Sequence, residues 1–101
     1  MNKFTYEERA KVYEATANAY GTETQTIVAI EELSELAKEV CKWLRGNQNY
    51  DHMAEEIADV TIMLEQLRLI FGLNDEVCEY MDKKIERLKG RIGMNEKVDS
   101  N

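Results

Sequence analysis

An apolar residue recurs every three or four positions in four successive runs, along 101 residues that contain no proline. That spacing puts side chains on one side of a helix and does not match the two-residue period of a strand. The first run is Tyr6, Ala10, Tyr13, Ala17 and Tyr20. The second is Ile30, Leu33, Ala37, Val40 and Leu44. The third is Met53, Ile57, Val60, Leu64, Leu67 and Phe71, and the fourth is Cys78, Met81, Ile85, Leu88 and Ile92. Helix formers (Glu, Lys, Ala, Leu, Met) dominate between them. The pattern predicts an all-α fold.

Helix boundaries follow from local chemistry. Thr5 with Glu8 has capping-box spacing and opens the first helix, which Gly21 stops. Thr22 with Gln25 repeats that spacing, and the second helix is expected from about residue 24 to residue 45. "GNQNY", residues 46–50, has no apolar period and reads as a loop. Asp51 is a candidate cap for a third helix reaching Phe71. "GLN", residues 72–74, interrupts, and Asn74 or Asp75 can cap the fourth. The last seven residues, "NEKVDSN", read as frayed. Short loops predict an antiparallel bundle of about four helices in a single domain spanning residues 1–101. So short a chain buries a modest core, and the apolar arc of the third helix is wider than one neighbour needs. The bundle is therefore expected to be completed by oligomerisation, as a homodimer or homotetramer.

Composition removes several functions. The net charge is −7, so the chain as a whole repels a phosphate backbone, which argues against a nucleic acid polymer as partner. No apolar stretch is long enough for a signal peptide or a membrane span, which predicts a soluble, cytoplasmic protein. Cys41 and Cys78 fall at apolar positions and are expected as buried thiols in a reducing compartment.

The functional signal is a repeated phrase: "EELSEL" at residues 31–36 and "EEIADV" at residues 55–60. Each sets two carboxylates three residues apart, about 60° around a helix, where they can share a ligand. Glu32 and Glu35 form one pair, Glu56 and Asp59 the other. Glu56 falls between Met63 and Leu67 on the helical wheel, inside the apolar stripe. Asp59 and His52 lie at its edge, and Glu32 borders Leu36 and Trp43. An ionised carboxylate in such a place costs several kcal/mol unless it is paired or bound to a metal. A divalent cation relieves burial and mutual repulsion together, and an all-oxygen donor set points to Mg²⁺, with Mn²⁺ possible in its place. The plainer reading is a solvated acidic face in a chain with twenty acidic residues. His52 itself reads as a surface residue near a helix start.

"EELSE" followed after a spacer by "EEIADV" resembles the EExxE…ExxD signature of the all-α nucleoside triphosphate pyrophosphohydrolases, the MazG-like superfamily. The resemblance runs from "TQTIVAIEELSELAKEV" through "HMAEEIADVTIML" to "DKKIERLKGRI" and covers most of residues 22–92, the core of the expected domain. It implies Mg²⁺-dependent hydrolysis of a nucleoside triphosphate to the monophosphate and pyrophosphate. By position, Glu32, Glu35, Glu56 and Asp59 would hold the metal. Glu31, with Glu35, would be a catalytic carboxylate. Lys84 and Arg91 on the last helix would meet the triphosphate, and Gln25 is a candidate for substrate contact. Many relatives carry Asn where Leu88 stands here, so the grip on the nucleotide is expected to differ. Two alternatives follow. One is a phosphoribosyl-ATP pyrophosphohydrolase, in which the same bond is cleaved. The other is a non-catalytic helical interaction protein. A carboxylate di-iron bundle is disfavoured, because no Glu-x-x-His occurs.

Overall fold

The computed structural model describes residues 2–94. It contains four helices: α1 (Tyr6–Tyr20), α2 (Thr22–Leu44), α3 (Tyr50–Ile70) and α4 (Asn74–Arg91), with no strand among the described residues. The expected tail, residues 95–101, lies outside them. The all-α architecture agrees with the apolar spacing, but three of the four starts are capped differently than expected. Thr5 and Glu8 do form a complete capping box at α1. Gly21 both ends α1 and begins α2, so Thr22 is already helical and no side chain caps that start. Its φ of 91° explains the glycine, since a one-residue junction between two helices needs a left-handed backbone here. At α3 the cap is Asn49, whose side chain accepts the His52 N–H at 3.0 Å, and Asp51 falls one residue inside the helix. Leu73 precedes α4 without a side-chain cap.

The larger correction concerns which faces meet. α2 and α3 form the main packed pair and run antiparallel, since Glu39 meets His52 while Glu32, one heptad earlier, meets Asp59, one heptad later. The apolar seam expected for α2 points outward: Ile30, Leu33, Val40 and Leu44 are all exposed. Turned inward instead are Ala29, Glu32, Leu36 and Glu39. That set is the expected seam moved by one residue, a rotation of about 100°. α3 shows the displacement in part, since Met53 and Leu67 of its expected seam stay half-buried. Ile57 and Leu64 are exposed, whereas Glu56, Met63 and Gln66 are buried. Val60 is buried at the border of both sets. Periodicity fixed the period of these faces correctly and their phase incorrectly, because a helix with apolar residues on two adjacent flanks leaves the choice to its neighbours.

What results is a thin core. Tyr13, Ala29, Val60 and Met63 are its buried apolar members, and four polar residues are buried beside them: Gln25, Glu39, Glu56 and Gln66. α4 packs only against α3 and buries no residue. Cys41 and Cys78 are exposed rather than buried, because Cys41 lies by the outward flank of α2 and α4 is open to solvent. The radius of gyration is 17.0 Å, against about 13 Å for a compact domain of this length.

α1 is held across α3 by a charged clamp. Arg9 donates two hydrogen bonds of 2.9 Å to the Glu65 carboxylate, and the Tyr13 hydroxyl donates a third. The Arg9 hydrogen bond holds the Glu65 carboxyl below its ordinary value. Burial, followed by the Glu65 contact, pushes the Tyr13 hydroxyl up to about 12. A depressed carboxyl stabilises the fold above its unfolded value, near 4.5, and that stability is lost as pH falls through the lower folded-state value. Glu65→Leu is therefore expected to lower Tm at neutral pH by about 4–8 °C, equivalent to about 1 kcal/mol. The deficit should shrink in acid, as thermal melts across the pH range would read; a deficit independent of pH would exclude the clamp as its source.

Candidate metal centre

The inward faces of α2 and α3 carry a polar ladder at heptad steps. On α2 its rungs are Gln25, Glu32 and Glu39, and on α3 they are Gln66, Asp59 and His52. Residues seven apart differ by about 20° around a helix and about 10 Å along it, so each set lines one face.

At the loop end of the ladder, Glu39 is buried and charge-paired. His52 Nδ1 lies 2.9 Å from its Oε1, and Lys42 Nζ lies 3.8 Å from its Oε2. His52 Nε2 lies 3.4 Å from Glu56 and 4.0 Å from Glu55. The histidine is thus inserted between two buried carboxylates. The Glu39 hydrogen bond and charge raise the imidazole's pKa, against a smaller lowering by burial, and Glu56 and Glu55 raise it further. His52 is not the plain surface residue expected from its place near a helix start.

At the central rung, ligand oxygens of Glu32, Glu56 and Asp59 lie within 4.8 Å of one another. Glu56 is buried, and its Oε2 has no hydrogen-bond partner. Burial first, and then the charges of Asp59 and Glu56, raise the Glu32 carboxyl above its ordinary value; a hydrogen bond with Asp59 and the charge of Glu35 add to this. Three acids are thus brought together, and the one basic group paired with any of them among the described residues is His52, 3.4 Å from Glu56. Like charges at this separation destabilise one another, and an orphaned buried carboxylate oxygen is costly. Three carboxylates at one point, one of them with an unpartnered buried oxygen, fit the coordination chemistry of a divalent cation such as Mg²⁺.

Three of the four carboxylates expected as ligands are therefore brought together, and the fourth is not. Glu35 is exposed and pairs with Lys38 at 3.9 Å, outside the cluster. Glu31 is exposed on α2. Gln25 is buried. Lys84 and Arg91 are exposed on α4, a helix that meets only α3. Glu39 and the role of His52 were missed. The available signal was the seven-residue interval from Glu39 back to Glu32 and from His52 forward to Asp59.

No known protein family, curated protein or solved structure matches the chain. None of the helices among the described residues is long and apolar enough to cross a membrane.

The cluster makes a stability prediction that needs no substrate. Millimolar Mg²⁺ should raise the Tm of EDTA-treated protein by about 4 °C or more, because a ligand bound only by the folded state stabilises it. Glu56→Gln should remove that response while melting no lower than the cation-free wild type, since it relieves repulsion. A full Mg²⁺ response in the variant would exclude Glu56 as a ligand.

Proposed function

We propose that the chain is a divalent-cation-dependent nucleoside triphosphate pyrophosphohydrolase, acting in nucleotide-pool housecleaning in the cytoplasm. The observation that carries this reading is the meeting of Glu32, Glu56 and Asp59, with Glu56 buried and one of its carboxylate oxygens unpartnered. These are residues of the two phrases that resemble the EExxE…ExxD signature. Glu32, Glu56 and Asp59 would hold Mg²⁺, or Mn²⁺ in its place. When bound, the cation supplies charge neutralisation for the triphosphate and polarisation of a water.

The remaining work falls to the chain's own residues. His52 holds Glu39 and Glu56 from the loop side and keeps the acid cluster oriented. Glu35 and Glu31, exposed beside Glu32, are the carboxylates open to accept the proton lost by an attacking water. The water oxygen bonds to the α-phosphorus, the bond from that phosphorus to the α–β bridging oxygen breaks, and pyrophosphate leaves with the bridging oxygen. The nucleoside monophosphate remains.

The outward seams supply the second half of the proposal. Ile30, Leu33, Val40 and Leu44 on α2, Ile57 and Leu64 on α3, and Met81, Ile85 and Leu88 on α4 are all exposed. A stripe of this extent is unusual on a soluble monomer, and a homodimer or homotetramer covers it. In that assembly Lys84 and Arg91 serve the triphosphate as cationic contacts. Leu33→Glu with Leu64→Glu is expected to leave a monomer of largely unchanged helix content, read by light scattering and circular dichroism. An unaltered mass would show that these seams are not the interface.

The activity is tested by pyrophosphate release from canonical and modified nucleoside triphosphates, in Mg²⁺ and in EDTA. Release is expected only with the cation. Glu56→Gln should lower it by about 100-fold or more, with the fold intact. Wild-type turnover in that variant would remove the assigned site. If folded, Mg²⁺-loaded protein released nothing from the panel, phosphoribosyl-ATP would be tried next. Failure there would leave a helical interaction protein, a reading that the exposed apolar seams also suit.

A further inference from the structure

His52, Glu55 and Glu56 stand at i, i+3 and i+4 in the first turns of α3, and one ligand atom from each lies within 4.8 Å of the others. The two nitrogens of the imidazole differ in their surroundings. Nδ1 lies 2.9 Å from Oε1 of buried Glu39 on α2, a hydrogen bond that fixes the ring. Nε2 faces Glu56 Oε1 at 3.4 Å and Glu55 Oε1 at 4.0 Å. Both distances exceed the about 2.7–3.2 Å of an ordinary N–H···O hydrogen bond.

Those separations suit a metal ion better than a proton. Zn²⁺ holds imidazole nitrogen and carboxylate oxygen at about 2.0–2.2 Å, so neighbouring donors of its tetrahedral shell lie about 3.3–3.5 Å apart. Nε2 and Glu56 Oε1 already have that spacing. Glu55 is exposed and closes the remaining distance by rotating its side chain. Glu56 points to a ligand independently: it is only 8% exposed, and its Oε2 has no hydrogen-bond partner. Glu39 supplies the outer support. A metal-bound histidine ordinarily donates its other ring N–H to a carboxylate, which fixes the tautomer and makes the ligating nitrogen more basic. The half-buried His52 and exposed Glu55 leave an approach from solvent. The nitrogen donor separates this group from the all-oxygen set of Glu32, Glu56 and Asp59, because imidazole favours borderline transition metals over Mg²⁺.

We propose that His52, Glu55 and Glu56 form a second cation site, selective for a transition metal of the Zn²⁺ type over Mg²⁺, with Glu39 as the positioning residue that orients the imidazole. The ion takes the place of a proton at Nε2, and water fills the fourth position. Glu56 belongs to both groups, so the two sites share a carboxylate. The second site stands on these four residues and does not depend on the pyrophosphohydrolase reading.

The chain has a single histidine, which makes the test direct. The full chain is stripped with EDTA, exchanged into EDTA-free buffer and titrated with Zn²⁺ while the imidazole nitrogen resonances are followed by NMR. Nε2 should take a metal-bound shift that saturates with stoichiometric Zn²⁺, Nδ1 should keep its proton, and Mg²⁺ alone should not give that shift. The response should persist in the Cys41→Ser, Cys78→Ser double variant, since both thiols are exposed and thiols also bind Zn²⁺. It should persist in Glu32→Gln, which alters only the other cluster. Glu55→Gln, at an exposed position, should weaken Zn²⁺ binding about tenfold or more, and Glu39→Gln about 10–100-fold. A Glu39→Gln variant that melts lower but binds Zn²⁺ as tightly as the wild type would reduce Glu39 to a structural role. Zn²⁺ binding that leaves Nε2 unmoved, a shift lost with the thiols, or unchanged affinity in Glu55→Gln would overturn the site.

Discussion

The rest of the structure depends on acid carried into the contact between α2 and α3. Two helices of this composition could have joined through their apolar seams. They join through Glu32, Glu39, Glu56 and Asp59, with His52 between two of the buried carboxylates. Such a contact is expensive to assemble in water, since each charge loses solvation and like charges approach. His52 and Lys42 compensate Glu39, and His52 also reaches Glu56, but among the described residues no basic group pairs with Glu32 or Asp59. The difference between the two rungs is informative. The Glu39 rung is chemically complete and holds the helices together. The Glu32 rung is incomplete, and that incompleteness is what a cation would fill.

The rotation that turns acid inward turns the aliphatic seams outward. The two features follow from one packing choice. A chain that buried Ile30, Leu33, Ile57 and Leu64 against itself would have a better core and no buried acid cluster. This chain keeps a thin core with four buried polar residues among the few that are buried. It leaves its best hydrophobic surface for another contact. In the proposed assembly a second copy would restore the lost burial, and the acid cluster and the exposed seams are two consequences of a single phase of packing. The clamp of Arg9 and Tyr13 on Glu65 has a separate part. It fixes α1 over α3.

Much of this was readable from the residues. The four helices, the capping box of Thr5 and Glu8, the stop at Gly21 and the burial of Glu56 all follow from local rules. Local rules also singled out Glu32 and Asp59. The sequence did not show that the seam of α2, and part of the seam of α3, is turned outward, because apolar residues occupy adjacent flanks of both. Nor did it show Glu39 as a buried partner of His52. A glutamate beside Lys38 and Lys42 looks solvated until the register of the opposing helix is known. The thiols were misplaced for the same reason: Cys41 and Cys78 fit an apolar pattern, but both lie on exposed flanks, where Cys78 meets only the Arg68 guanidinium at 3.2 Å among the described contacts.

By itself, then, the sequence determined period and chemistry. Spacing of three and four residues, without proline, makes helices, and paired acids within apolar runs make an unusual demand for compensation. Tertiary structure decided phase and register. Which flank of a helix is buried depends on what the opposing helix presents, and a shift of one residue turns a face by about 100°. Only the antiparallel contact of α2 with α3 shows that Glu32, Glu56 and Asp59 meet while Glu35 does not, because that outcome depends on distances between residues far apart in the chain.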